Sequence, residues 1–387
     1  MNALKNQEVN DMIQSPFGHW LVADKIYYNK LQAVADAAPR GWWPHFYFHE
    51  DQFGRVDWQN QPTESLEQLY NARAQQLRKK YDHITVEFSG GADSWYAMHS
   101  FMRQGLHVDA VYHKYVDASS GDITDLNPDN QHAEAKFQAF PWFKKWQELD
   151  PNITWEVEYV TDTVIEGWSN VPVDPLEYNG VNVGLMFKLP GISGDLPKFM
   201  PIEKNCAVVY GTDKPNLFFE NGTFYLYFPE NPVIYRAYIE RKLMGIPVTD
   251  VMFYWDPDCC ALLAKQAHIV MNWFKKNPKM LPLISHRKYR DTNLYYSIVN
   301  TLIYPDYDPD WQSEKGTGRF NQTHETWFHK NSEGTVHGTN WHKTMKRMHE
   351  VMTDCVAGTE FDDYIHRENQ YNVLSDQWSK FYKIGSL

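Results

Sequence analysis

The residues best placed to do chemistry form the run Ser89-Gly90-Gly91-Ala92-Asp93-Ser94. Two adjacent glycines let the backbone bend tightly and come close to a ligand. The amides after them stand at the start of an expected helix, where unpaired N–H groups and the helix dipole favour an anion. Ser89 and Ser94 add hydroxyl donors. Asp93 is the odd member, because a carboxylate in an anion site makes sense mainly when a cation lies between the two. Asp93 is therefore a candidate to hold Mg²⁺ against a polyphosphate. A second candidate is the turn Gly211-Thr212-Asp213-Lys214, which follows the apolar run Cys206–Tyr210. Ligands in open α/β sheets gather at the carboxyl ends of strands. A lysine there would pair with a phosphate, and Asp213 could share the metal.

The first run lacks the Gly-Lys-Ser/Thr ending of a Walker A loop and the spacing of a GxGxxG fingerprint. It resembles the SGGxDS loop of the N-type ATP pyrophosphatases, the adenine nucleotide alpha-hydrolase superfamily. That superfamily includes asparagine synthetase, GMP synthetase, NAD synthetase, tRNA-thiolation enzymes and PAPS reductases. The likeness covers about residues 81 to 215. It implies a Rossmann-like parallel sheet that binds ATP, with the pyrophosphate against Ser89, Gly90, Gly91, Ala92, Asp93 and Ser94. The superfamily often places a glycine-containing turn with a basic residue where Gly211, Thr212, Asp213 and Lys214 stand here. Two further segments, Phe253-Tyr254-Trp255-Asp256-Pro257-Asp258 and Lys265-Gln266-Ala267-His268, are similar to phage-encoded PP-loop proteins of the asparagine-synthetase-like kind; a phage-encoded member would work in the host cytoplasm.

Missing parts narrow the reaction. A class II glutaminase needs cysteine directly after the initiator, and position 2 is Asn2. Sulfur-carrying tRNA enzymes use paired cysteines, and none has suitable spacing. Cys355, in Thr353-Asp354-Cys355-Val356, lacks the ECGxH-type context of a sulfonucleotide reductase. What remains is an AMP-forming ligase: ATP activates a carboxylate, or an amide or base oxygen, and an amine displaces AMP. Asp93 and Lys214 are its candidate catalytic residues, and Asp93 and Asp213 its candidate Mg²⁺ ligands. The rivals are a sulfonucleotide enzyme like the PAPS reductases, a nucleic-acid-base-modifying enzyme, and a module that binds adenine nucleotide without turnover. His324-Glu325-Thr326-Trp327-Phe328-His329 has one residue too many for a metalloprotease HExxH. Lys265 and His268 share a helix face, as would Arg287 and Arg290, and a solvated face or ion pair is at least as good a reading of each. His45 and His49 read as packed or exposed side chains.

The elements that must position these residues are legible around the loop. His83–Phe88 reads as a strand, Asp93 to Gly105 as a helix closed by glycine, and Leu106–Tyr112 as a second strand, which together make a βαβ unit. Gln131–Leu149 reads as a helix broken near Pro141, Ile153–Val160 and Cys206–Tyr210 as strands, and Leu217–Phe228 as a hairpin turning at Asn221-Gly222. Upstream, Trp43–His49 with Gly54 and Val56 reads as an aromatic hairpin, and Glu64–Lys80 as an amphipathic helix. Cys260–Lys275 is the best helix downstream. The expectation is an N-terminal region over 1–80, an ATP-binding α/β domain over 81–255, and a mostly helical region over 256–387.

Composition sets outer bounds. With 387 residues, 43% hydrophobic and 22% charged, the chain can bury a sizeable core. Its 15 Trp, 24 Tyr and 21 Phe read as packing more than as a stacking platform. A net charge of −12 with no run of Lys and Arg argues against an extended nucleic-acid groove and for a small-molecule substrate or protein partner. The four cysteines, Cys206, Cys259, Cys260 and Cys355, form no CxxC pair, so zinc-ribbon and iron–sulfur sites lack ligands. Cys259-Cys260 reads as two reduced, half-buried thiols. No apolar leader or membrane-spanning run stands out, which gives a cytoplasmic expectation.

Overall fold

The structure, a computed structural model, describes residues 17–115, 135–159, 200–201, 203–230, 246–285, 292–307 and 378–387, with position 238 and scattered positions between 343 and 358. Arg287, Arg290 and the segment from His324 to His329 lie outside the described residues.

The chain opens with a small antiparallel sheet. Strand β1 (His19–Val22) turns at Ala23, which takes a φ of 54°, into β2 (Lys25–Tyr27). Helix α1 (Lys30–Ala37) follows, capped by the Asn29 side chain, and β3 (His45–Tyr47) returns to pair with β1. The Trp43–His49 segment is therefore one strand and not a hairpin. Its end is set by His49, whose φ of 48° turns the chain straight into the helical turn α2 (Glu50–Phe53). Phe46 and Phe48 are buried beside Trp20 and Phe228, so burial against distant partners decides the pairing.

Helix α3 (Leu66–Lys80) begins at Ser65, whose side chain and that of Gln68 form a reciprocal capping box. It leads into the central sheet of β4 (His83–Glu87), helix α4 (Ala92–Met102), β5 (Ala110–Tyr115), helix α5 (Phe140–Leu149), β6 (Thr154–Tyr159) and β7 (Cys206–Tyr210). Helix α4 closes with a left-handed Gly105, where Leu106 N–H reaches Phe101 O and Gly105 N–H reaches Met102 O. A π-helical turn over Ala135–Ala139 precedes α5, and Pro141 sits in the first turn of α5 rather than breaking it. At that position proline's missing N–H has no helical partner to lose.

After β7 come the hairpin strands β8 (Asn216–Glu220) and β9 (Thr223–Tyr227), then β10 (Val248–Met252). The central sheet has the order β10-β7-β4-β5-β6, and every pairing in it is parallel. Numbered by appearance its strands run 3-2-1-4-5, which is compatible with a Rossmann-like fold. The order reverses between β4 and β7. On one face Phe88 meets Trp146 and Trp155 stacks on Phe143; on the other Tyr210 meets Phe17 edge-on.

The C-terminal part contributes α6 (Cys260–Lys276), the turn α7 (Pro282–Ser285) and α8 (Thr292–Ile303), and also β11 (Tyr382–Ser386), which pairs with β9. One buried cluster runs from Phe17 to Ile384 and contains the inner faces of α3, α4, α6 and α8. Most of the large aromatics in the described residues belong to it, so they act as packing. Among the described residues no helix is long and apolar enough to cross a membrane.

Candidate functional site

The first loop leaves the carboxyl end of β4 and turns on Gly90, whose φ of 95° is open to glycine. Gly91 is the N-cap of α4 and brings no side chain to its first amides. The usual Ser or Asp cap is thus absent here. The serines brace the loop from within. Ser94 Oγ donates to Gly91 O (3.1 Å) and accepts from Ser89 N (3.3 Å), while Ser89 Oγ accepts from Gly91 N (3.2 Å).

The second loop leaves the carboxyl end of β7, the strand beside β4. The two candidate loops therefore flank the point where the strand order reverses, the place at which open α/β sheets bind ligands. Gly211 touches the first loop directly. A Cβ at that position would lie 2.3 Å from Ser94 Cα and 2.7 Å from Asp93 O, so only glycine lets the two backbones meet.

Lys214 crosses this contact. Its Nζ lies 2.5 Å from Asp93 Oδ2 and 3.0 Å from Asp213 Oδ1, and 4.5 Å from the centre of the Tyr296 ring. Burial alone would pull the ammonium's pKa down, but the charges of Asp213 and Asp93 outweigh it and hold it above its ordinary value. The Asp93 carboxyl is pushed up by burial, with Asp213 adding repulsion against the pull of Lys214. Two carboxylates thus share one cation. The expected residues Asp93, Asp213 and Lys214 are brought together, although Asp93 is a half-buried carboxylate with two side-chain partners, Lys214 and Tyr304, and not an exposed helix cap.

No motif or spacing points to the tyrosines around the loop. Tyr304 OH donates to Asp93 Oδ1 (2.8 Å), Tyr254 OH to Asp93 O (2.7 Å) and Tyr307 OH to Gly90 O (2.9 Å). Tyr295 holds the second loop by donating to Pro215 O (2.7 Å) and accepting from Leu217 N (3.0 Å). Burial raises the phenols of Tyr254 and Tyr304 well above their ordinary range, with the Asp93 charge adding to it, so both remain donors. Tyr254 is set by Arg73 on α3, whose buried guanidinium donates to the carbonyls of Met252 and Phe253 and to Asp256.

Other candidates stand elsewhere. Lys265 donates to Pro62 O (2.9 Å) and His268 bonds Trp58 O (2.9 Å), so both fasten the 58–62 segment to α6. His45 pairs with Glu50 at 2.6 Å, and His49 packs against Phe48 and Phe53. All four cysteines are free, with Cys259 buried and Cys260 half-buried. Among the described residues no group of three or more His, Cys, Asp or Glu side chains could hold a metal unaided. A cavity of about 260 Å³ runs along β10, lined by residues that include Phe17, Lys80, Asp250 and Trp255, and it touches neither loop. The polar convergence, and not this cavity, marks the site.

Comparison with protein-family models, with curated proteins and with solved structures finds no match to the chain.

Proposed function

We propose that this chain is an ATP-dependent, AMP-forming enzyme that adenylates a substrate carboxylate, or an amide or base oxygen, and passes it to an amine. One observation carries the reading: a glycine loop at a helix start and a lysine turn meet at the carboxyl ends of adjacent parallel strands, with Lys214 Nζ between Asp93 and Asp213. Uncapped amides at the start of α4 suit a pyrophosphate. The PP-loop likeness of Ser89 to Ser94 supplies the nucleotide's identity.

The residues would divide the work as follows. Gly90 and Ala92 offer main-chain N–H groups to the β- and γ-phosphates and Ser89 its hydroxyl, while Gly91 N–H and the Ser94 hydroxyl join them by leaving Ser89 Oγ and Gly91 O. Lys214 turns from the carboxylates to the phosphates and carries positive charge to the bond that breaks. The substrate oxygen forms a bond to the α-phosphorus as the bond to the β-phosphate oxygen breaks, and pyrophosphate leaves with the electron pair. The amine then attacks the acyl carbon and AMP departs. Mg²⁺ is commonly held by one or two carboxylates plus substrate phosphates, a requirement that Asp93 and Asp213 meet, and when bound it would neutralise polyphosphate charge.

The test is incubation of the full chain with labelled ATP, Mg²⁺ and a panel of carboxylates and amines. Release of pyrophosphate and AMP is expected, and Asp93→Ala should abolish it. Tight ATP binding with no turnover on any acceptor would move the reading to a nucleotide-binding module. No ATP binding at all would sink it.

A further inference from the structure

The Asp93 carboxylate has its two oxygens divided between two donors. Oδ2 accepts from Lys214, and Oδ1 accepts from Tyr304 at 2.8 Å. Lys214 is a long side chain that a phosphate can draw away. Tyr304 has no such freedom. It is 1% exposed, and its ring lies 5.0 Å from that of Tyr96 and 5.8 Å from that of Tyr254. Its own N–H donates to Asn300 O (2.8 Å) at the end of α8. The residue before it, Ile303, receives the Tyr70 hydroxyl on its carbonyl (2.9 Å), and Gln266 of α6 donates in turn to that hydroxyl (2.8 Å). Two residues further on, Asp306 accepts from Tyr96 (3.2 Å). Helices α3, α4, α6 and α8 therefore all fix where this phenol points.

We infer that Tyr304 is a positioning residue that holds Asp93 with Oδ1 occupied and Oδ2 on the side of Lys214, so that Asp93 offers one oxygen to a divalent cation when Lys214 leaves it. This rests on the ATP–Mg²⁺ reading above. The chemistry is that of an outer partner orienting a ligand: carboxylates that bind metals are themselves hydrogen-bonded, and losing such a partner weakens metal binding by about 10–100-fold. Tyr307 and Tyr254 are different, because the hydroxyl of each donates to a main-chain carbonyl, that of Gly90 and that of Asp93.

The experiment uses Mn²⁺ as the probe, with free Mn²⁺ followed by electron paramagnetic resonance on the full chain saturated with a non-hydrolysable ATP analogue. Tyr304→Phe is expected to weaken Mn²⁺ by about 10–100-fold, leaving metal-free nucleotide affinity unchanged. Tyr307→Phe is expected to keep the Mn²⁺ affinity. Tyr304→Gln, which returns a donor, should recover part of the loss. If the phenylalanine variant does not fold, Tyr304→Gln is compared with Tyr304→Met, donor against no donor. Unchanged Mn²⁺ affinity without the donor, or an equal loss in Tyr307→Phe, overturns the assignment to Tyr304 alone. No nucleotide-dependent Mn²⁺ binding by the unaltered chain overturns the ATP–Mg²⁺ reading as well.

Discussion

Gly211 is where the two halves of the site meet most closely, and it offers a graded test. A Cβ there would stand 2.3 Å from Ser94 Cα and 2.7 Å from both Asp93 O and Ser94 N, all of them main-chain atoms with no rotamer to yield. Ordinary contact begins near 3.4 Å. Gly211→Ala must therefore move the second loop off the start of α4 by about 1 Å, an overpacking that costs about 1–3 kcal/mol of stability. Lys214 moves with it, away from Asp93. A misplacement of about 1 Å in a reacting site is worth about a hundredfold in rate. Gly105→Ala is the control: its φ of 66° strains an alanine by about 1 kcal/mol, but nothing lies within 4 Å of the new methyl. Calorimetric titration with Mg²⁺–ATP and thermal unfolding should be run on both variants. Both are expected to melt earlier, and Gly211→Ala alone to lose nucleotide affinity and turnover. Nucleotide binding by Gly211→Ala as tight as in the unaltered chain would refute the close approach. An equal loss in Gly105→Ala would show only general loosening.

Mn²⁺ without nucleotide is expected to show no saturable binding at Asp93 and Asp213, because the Lys214 ammonium already lies within 3.0 Å of both; Lys214→Met should create such binding, and a site in the unaltered chain that Asp93→Asn removes would contradict this. His19 has its pKa held down to about 4, first by burial and then by His45, with His49 adding and Glu50 opposing. Neutral His19 thus stabilises the fold fully above its ordinary value of 6.5. That contribution fades as pH falls towards 4, by at most about 3 kcal/mol at 1.36 kcal/mol per unit. Melting curves between pH 7 and 4.5 should fall less steeply for His19→Gln, and parallel curves would count against it. The thiols of Cys259 and Cys260 are pushed up to about 11 and about 12, in each case chiefly by burial. Iodoacetamide at pH 8 should leave both intact in the folded chain, and alkylation as fast as after denaturation would argue otherwise.

What could be read from the sequence was local, and what could not was long-range. The strand at His83, the glycine turn and the helix from Ala92 each follow from residues within one βαβ span. The second strand begins later than its apolar pattern indicates, at Ala110 and not Leu106. Asp109 fastens this end of the strand between its neighbours: its carboxylate takes Arg78 at 2.6 Å and the Ile84 amide at 2.9 Å, and its own N–H donates to Ile84 O. The C-terminal strand Tyr382–Ser386 escaped notice because its partner, β9, lies far back in the chain. The same separation hid Tyr304 and Tyr307, which stand 211 and 217 residues from the atoms they bond. No spacing rule relates such residues, since only packed helices bring them to one place.

The loop motif names a capacity for binding anions, but the loop's own residues leave the Asp93 carboxylate free to take several rotamers. Its orientation comes from outside: Lys214 from the neighbouring strand's turn and Tyr304 from the end of α8, while Tyr254, from a segment that Arg73 fixes to α3, holds the Asp93 main-chain carbonyl. Each donor is held by an element whose first duty is to close the hydrophobic core. Substitutions that loosen α8 against α6, far from any phosphate, are therefore expected to act on the site through Tyr304 before they unfold the chain. The six-residue loop therefore takes its geometry from packing across nearly the whole described fold.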